Sequence, residues 1–198
     1  MKKRLLNTQQ VLLLILISLV FSCQEKNNPR PISYPRIYLP SHEYNIFDSA
    51  HCNYSFKKPI YSSLKIEELY TQNKPCWYNL YFEPFDATLH ISYHEYTNSN
   101  GFDSLYEDTR KLVYKHIVKA DDIEEIEVTN KDSSMSGIIY KLKGNTATNL
   151  NFYLCDNQSR YFRGALYFNY KTNPDSIAPI YSHLSEDVME LISSFKWK

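Results

Sequence analysis

Leu89, Ile91 and Tyr93 alternate with His90, Ser92 and His94, the two-residue period of a strand with one covered face and one wet face. Similar short runs predict strands over Tyr54 to Phe56, Tyr61 to Ile66, Trp77 to Phe82 and Thr88 to Glu95, and Glu83-Pro-Phe-Asp-Ala87 turns the last two into a hairpin. Asn98-Ser-Asn-Gly101 then breaks the pattern. Ser104-Leu-Tyr-Glu107 has the form of a capping box, and Leu105, Thr109, Leu112, Val113, His116 and Ile117 share one helical face, so a helix is expected over residues 105–119. Further strands are predicted over 124–130, 135–142, 150–155 and 161–170, joined by polar turns that favour antiparallel hairpins. A last helix is expected over 176–195, with the stripe Ile177, Ile180, Tyr181, Leu184, Val188, Leu191, Ile192 and Phe195. Asp175 or Ser176 would cap it, and Pro179 would fall in its first turn, where a missing N–H costs little. The order of elements predicts an α+β fold, an antiparallel sheet of about 7–8 strands covered by two main helices.

The N-terminus follows a different pattern. Lys2, Lys3 and Arg4 precede the apolar run Val11 to Phe21, which ends at Ser22-Cys23. Basic residues, an apolar core too short to span a bilayer and a small residue before a cysteine read as a secretory signal over residues 1–22 with Cys23 as the lipidation site, for an acyl group such as palmitate. An ordinary cleaved signal or an uncleaved interfacial anchor is the alternative. Residues 23–40, with Glu25-Lys-Asn-Asn-Pro-Arg-Pro and little apolar periodicity, read as a lipidated N-terminus and linker, leaving 41–198 as a single α+β domain. Gln24 after the lipid cysteine is not the aspartate that marks inner-membrane retention, which favours the outer membrane, facing the periplasm.

Composition then removes functions. The full chain is neutral, and losing residues 1–22 removes three basic groups and no acidic one, so a mature chain is mildly acidic and offers no electrostatic basis for nucleic-acid binding. With four glycines in all, and no GxGxxG or GxxxxGK[ST], phosphate-cradling loops are excluded and no cofactor is expected. Export permits disulfides: Cys52 and Cys76 both adjoin turn-like residues at strand entrances and are the expected pair, three free thiols being the alternative. Cys155 continues a strand pattern and reads as a buried thiol.

Chemistry is sparse. His90 and His94 are four residues apart, but on a strand their Cα atoms lie roughly 13 Å apart, too far to share one ion, so no metal site is expected there. His116 on a helix face reads as a packing residue, and the acidic run Asp121, Asp122, Glu124, Glu125, Glu127 as a solvated edge. No GxSxG or SxxK accompanies a base, so no catalytic residue is assigned and no enzyme is expected. Eighteen tyrosines and ten phenylalanines leave a glycan-binding surface as an alternative, with Trp77 or Trp197 as its reporter.

Cys23, Arg36-Ile-Tyr-Leu-Pro40, Cys52-Asn-Tyr-Ser-Phe56, Lys74-Pro-Cys-Trp77, Glu107-Asp-Thr-Arg110, Lys143-Gly-Asn145, Phe162-Arg-Gly-Ala-Leu-Tyr-Phe168 and Phe195-Lys-Trp197, in that order, resemble the gliding motility lipoprotein GldD family. The resemblance implies a lipid-anchored component required for gliding and tied to type IX secretion, with other gliding-motility lipoproteins and motor or secretion components as partners. It implies no catalytic motif. Cys23 carries over as the lipid site, and Cys52 and Cys76 stand where family members have cysteines. The final hairpins and closing helix also resemble the Mog1/PsbP-like fold, which carries no function by itself.

Overall fold

The computed structural model describes Gln9 and residues 37–66, 76–130, 134–169 and 174–198. Cys23 and, Gln9 aside, the rest of residues 1–36 lie outside the described residues. Ile37–Lys198 forms one compact unit.

Strands β1 (Tyr44–Asp48), β2 (Tyr54–Pro59), β3 (Ser63–Ile66), β4 (Tyr78–Phe82) and β5 (Ala87–Glu95) lead into helix α1 (Ser99–Tyr114). After it come β6 (Ala120–Asn130), β7 (Met135–Gly144), β8 (Thr148–Cys155) and β9 (Arg160–Phe168), then helix α2 (Pro174–Ser194) and the two-residue β10 (Lys196–Trp197). Seven strands form an antiparallel sheet in the order β3-β4-β5-β9-β8-β7-β6. The expected sheet and its two helices are therefore present. A second sheet that the sequence pattern did not announce, β1-β2-β10, lies beside them.

Alternation divides the large sheet into two chemically different faces. Leu80, Leu89, Phe152, Phe162 and Leu166 point one way and are essentially sealed against Leu184, Val188 and Leu191 of α2. Each such side chain stabilises the fold by about 2 kcal/mol through area removed from water. The same core takes in β2 and the chain end, because Tyr54 lies 4.9 Å from Phe162 and 6.0 Å from Phe195, ring centre to ring centre. On the other face Tyr140, Tyr153, Cys155 and Tyr161 pack beneath Val113, Leu105 and Tyr106 of α1, a smaller cluster in which Cys155 is a buried free thiol. The helix covers only the β7-β8-β9 part of that face.

Several element ends differ from the pattern reading. The first helix begins at Ser99 because the Asn98 side chain accepts the Gly101 N–H at 2.9 Å, so Asn98, not Ser104, is the N-cap. It stops at Tyr114, and His116 falls in the turn beyond it. The second helix begins at Pro174, which puts Asp175 and Ser176 inside its first turn instead of before it and moves Pro179 into the second turn. The acidic run occupies β6, an edge strand, where its charges discourage pairing with another chain.

Two local devices fix the margins of the fold. Cys52 and Cys76 are disulfide-bonded across 24 residues, with Cα atoms 5.6 Å apart. Replacing Cys76 by alanine should lower stability by about 3 kcal/mol, the loop-closure entropy of a span of this size, as read by guanidinium unfolding with and without reductant. At the β8–β9 turn, one Asp156 carboxylate oxygen accepts the N–H groups of Gln158, Ser159 and Arg160, each at 2.9 Å, and the other accepts Arg160 Nε at 2.7 Å. Burial pushes this carboxyl up, but the guanidinium and the three backbone donors outweigh it and bring it down to about 2. A depressed carboxylate stabilises the fold above its unfolded value and loses that contribution as pH falls through the folded value. Between about pH 4 and 2 the protein should therefore lose about 2 kcal/mol through Asp156, and Asp156→Asn should flatten that part of the stability–pH curve.

Candidate functional site

Where α1 stops short, the outer face of β4, β5 and β9 is left as the floor of a groove. Its cavity of about 480 Å³ is lined by Trp77, His90, His94, Arg163 and Tyr167 from the sheet side and by Leu105 and Leu112 from the helix. The floor is polar because outward positions of these strands carry Asn79, His90, Ser92, His94 and Arg163, while inward positions carry the core. His90 Nδ1 and Asn79 Oδ1 are 2.7 Å apart, and Trp77 donates its indole N–H to Tyr93 O at 2.8 Å. Arg163 has no acidic partner among the described residues, and its Nε is buried without a hydrogen bond. Burial lowers its pKa, Tyr167 and Tyr161 opposing, yet a guanidinium stays charged. Asp108 of α1 also lines the cleft but is paired with Lys111 and makes no ion pair with Arg163. The charged fork in this partly apolar cleft is therefore suited to a carboxylate or other anionic group from outside.

A second polar cluster lies on the opposite side of the sheet, at Asp187 of α2. The Asp187 side chain is fully buried, yet it meets three groups from the N-terminal part of the domain. Its Oδ1 lies 2.7 Å from His42 Nδ1 and accepts the Tyr44 hydroxyl at 2.9 Å, and its Oδ2 accepts the Tyr61 hydroxyl. Burial and the carboxylate both push the Tyr44 and Tyr61 hydroxyls up, so they remain donors at neutral pH. His183, one turn before Asp187, presents Nε2 3.9 Å from Oδ2, and its ring lies 4.2 Å from that of His42. Burial lowers the His183 pKa, with His42 adding to burial and Asp187 opposing, which leaves the ring neutral at neutral pH. Outside the cluster Glu186 Oε2 stands 3.2 Å from His42 Nε2. Among the described residues, His42, His183 and Asp187 are the group whose donor atoms could hold a metal.

The family model for the gliding motility lipoprotein GldD matches residues 24–197. The chain belongs to the GldD family. Its role accordingly lies in gliding motility, and it is a lipoprotein of the cell envelope. No curated protein matches this GldD-family chain. Among solved structures it is similar to the solution structure of cyanobacterial PsbP (CyanoP) from Synechocystis sp. PCC 6803, at 12% identity and a TM-score of 0.47, over 80% of this chain and 95% of that one.

For this GldD-family protein the sequence-marked residues divide. Cys52 and Cys76 are brought together, whereas Cys23, the expected lipidation site, falls outside the described residues. His90 and His94 share the groove as strand residues two positions either side of Ser92, apart from each other. Trp77 lines the groove, but Trp197 lies under the Arg160 guanidinium, 5.0 Å from its ring centre. The Asp187 cluster escaped sequence reading because its members lie in three separate stretches. The one local signal was His183 and Asp187 at helical i, i+4 spacing beside the apolar stripe.

Proposed function

We propose that this lipoprotein is held at the outer membrane through a lipid on Cys23, faces the periplasm, and serves as an assembly or stability factor of the gliding and type IX secretion machinery. It acts through protein contacts and catalyses no reaction. The observation that carries the reading is the family match over nearly the whole chain beyond the signal segment. The groove beside α1 supplies a contact surface of suitable chemistry, in which Arg163 takes an acidic side chain of a motility or secretion partner.

An in-frame deletion should abolish surface spreading and reduce surface display of secreted adhesins, and partner proteins should be recovered by cross-linking to the wild type. Arg163→Glu should keep the protein folded and envelope-bound while losing the cross-link. Wild-type motility in the deletion strain would overturn the reading. Cys23→Ala should move the protein from the membrane to the soluble fraction, and continued membrane association would refute the anchor.

A glycan-binding role is the second reading, favoured by Trp77 and Tyr167 around the same cleft, since aromatic faces stack on sugars. Quenching of Trp77 fluorescence by acidic envelope glycans, absent in Trp77→Phe, would support it over the partner reading.

A further inference from the structure

The Asp187 cluster has one member that hydrogen bonding within the fold does not satisfy. Asp187 itself is served by His42, Tyr44 and Tyr61. His183 Nε2 is buried without a hydrogen-bond partner, and no tautomer repairs this. With a proton on Nε2, the Asp187 oxygen 3.9 Å away is out of hydrogen-bond range; without one, a buried lone pair faces a carboxylate. A cation between the two removes both difficulties at once.

We infer that His42, His183 and Asp187 form a binding site for a divalent transition-metal ion, zinc foremost, that clasps the N-terminal stretch of the domain onto α2. The three donor atoms already lie within 4.8 Å of one another. Zinc takes imidazole nitrogen and carboxylate oxygen at about 2.0–2.2 Å, so donors around it stand roughly 3–4 Å apart, and small rotations of existing side chains suffice. Two imidazoles and one carboxylate suit zinc or a neighbouring first-row ion better than magnesium or calcium, which prefer all-oxygen sets.

The surrounding groups fit the same assignment. For His42 to coordinate through Nδ1, its ring proton must sit on Nε2, and Glu186 Oε2 stands 3.2 Å from that atom to accept it. This is the carboxylate–histidine–metal arrangement that fixes a ligand's tautomer and raises its basicity. The Tyr44 and Tyr61 hydroxyls orient the Asp187 carboxylate from behind. His42 is about one-third exposed, which leaves a fourth position to water.

The test is titration of the full-length, detergent-solubilised protein, stripped with chelator, with Co²⁺ followed by its visible d–d absorption and with Zn²⁺ as competitor. One equivalent per chain should bind with the intense bands of a four-coordinate nitrogen–oxygen site, and Zn²⁺ should displace it. His42→Gln and His183→Gln should each weaken binding at least 10-fold, while His51→Gln, on an exposed turn, should leave it unchanged. His42→Gln alters a partly exposed side chain and keeps the core intact, which circular dichroism verifies. Absence of a stoichiometric spectrum in the wild type, or equal binding by the His42→Gln and His183→Gln double variant, would overturn the assignment.

Discussion

Gly137→Ala is expected to cost about 4 kcal/mol or more and to leave little folded protein at 37 °C. Gly137 sits in β7 opposite Leu154 of β8, and a Cβ built on it would lie 1.9 Å from the Tyr153 carbonyl oxygen and 2.9 Å from the carbonyl carbon. Both obstacles are backbone atoms in a central ladder, so relief requires separating two paired strands or shifting their register, which would turn each face of β7 over. Gly164→Ala offers a comparison. There the added Cβ meets the Phe152 ring at 2.3 Å, an obstacle that can tilt, and the expected loss is about 2 kcal/mol. Urea unfolding of the two variants should rank them in that order; equal stabilities would show that β7 and β8 can part cheaply.

Asp187→Ala should destabilise the domain by about 4 kcal/mol even in the presence of chelator, because it strands the Tyr44 and Tyr61 hydroxyls and the His42 ring in a partly buried pocket. Asp187→Asn keeps one acceptor oxygen and introduces donors facing donors, so it should fall between the wild type and alanine. Hydrogen exchange provides the finer readout. Loss of the hub should raise exchange along β1 and at Ile60, whose N–H bonds to Glu43 O, with little change in β8. A loss under 1 kcal/mol would mean that the hub is dispensable.

The parts of the fold legible in the sequence were those whose periodicity is enforced by a continuous core. β5 alternates because one face touches α2 and the other lines the open groove, and the α2 stripe is apolar for the same reason. β1 was invisible because Ile46, its central apolar residue, is 70% exposed and so breaks the expected relation between hydrophobicity and burial. β10 has two residues, too few for any period, and is held by pairing with Ser55 and Tyr54 of β2. The candidate sites were less legible still. Arg163 is one arginine among alternating strand residues until β5 and α1 wall it in. Asp187 and His183 acquire their chemistry only when a loop residue about 140 positions earlier is folded against them. Long-range assembly of short polar segments leaves no local mark, whereas a lipid-attachment cysteine and a paired cysteine framework do.

The small β1-β2-β10 sheet also determines how the molecule would respond to force. Were the protein held by the proposed lipid within a moving surface machine, it would be pulled along its own chain, and the pull would enter the described domain at Ile37. It meets the His42–Asp187 attachment first and only then the five paired positions of β1 on β2. The carboxyl end is fastened to the same middle strand and is reinforced by Arg160 donating to the Lys198 carbonyl at 2.6 Å. Tension would thus peel an edge strand before it reached the seven-stranded sheet, so the first yield of the molecule would extend its reach by the length of β1 and leave the groove, with Arg163 in it, in working order.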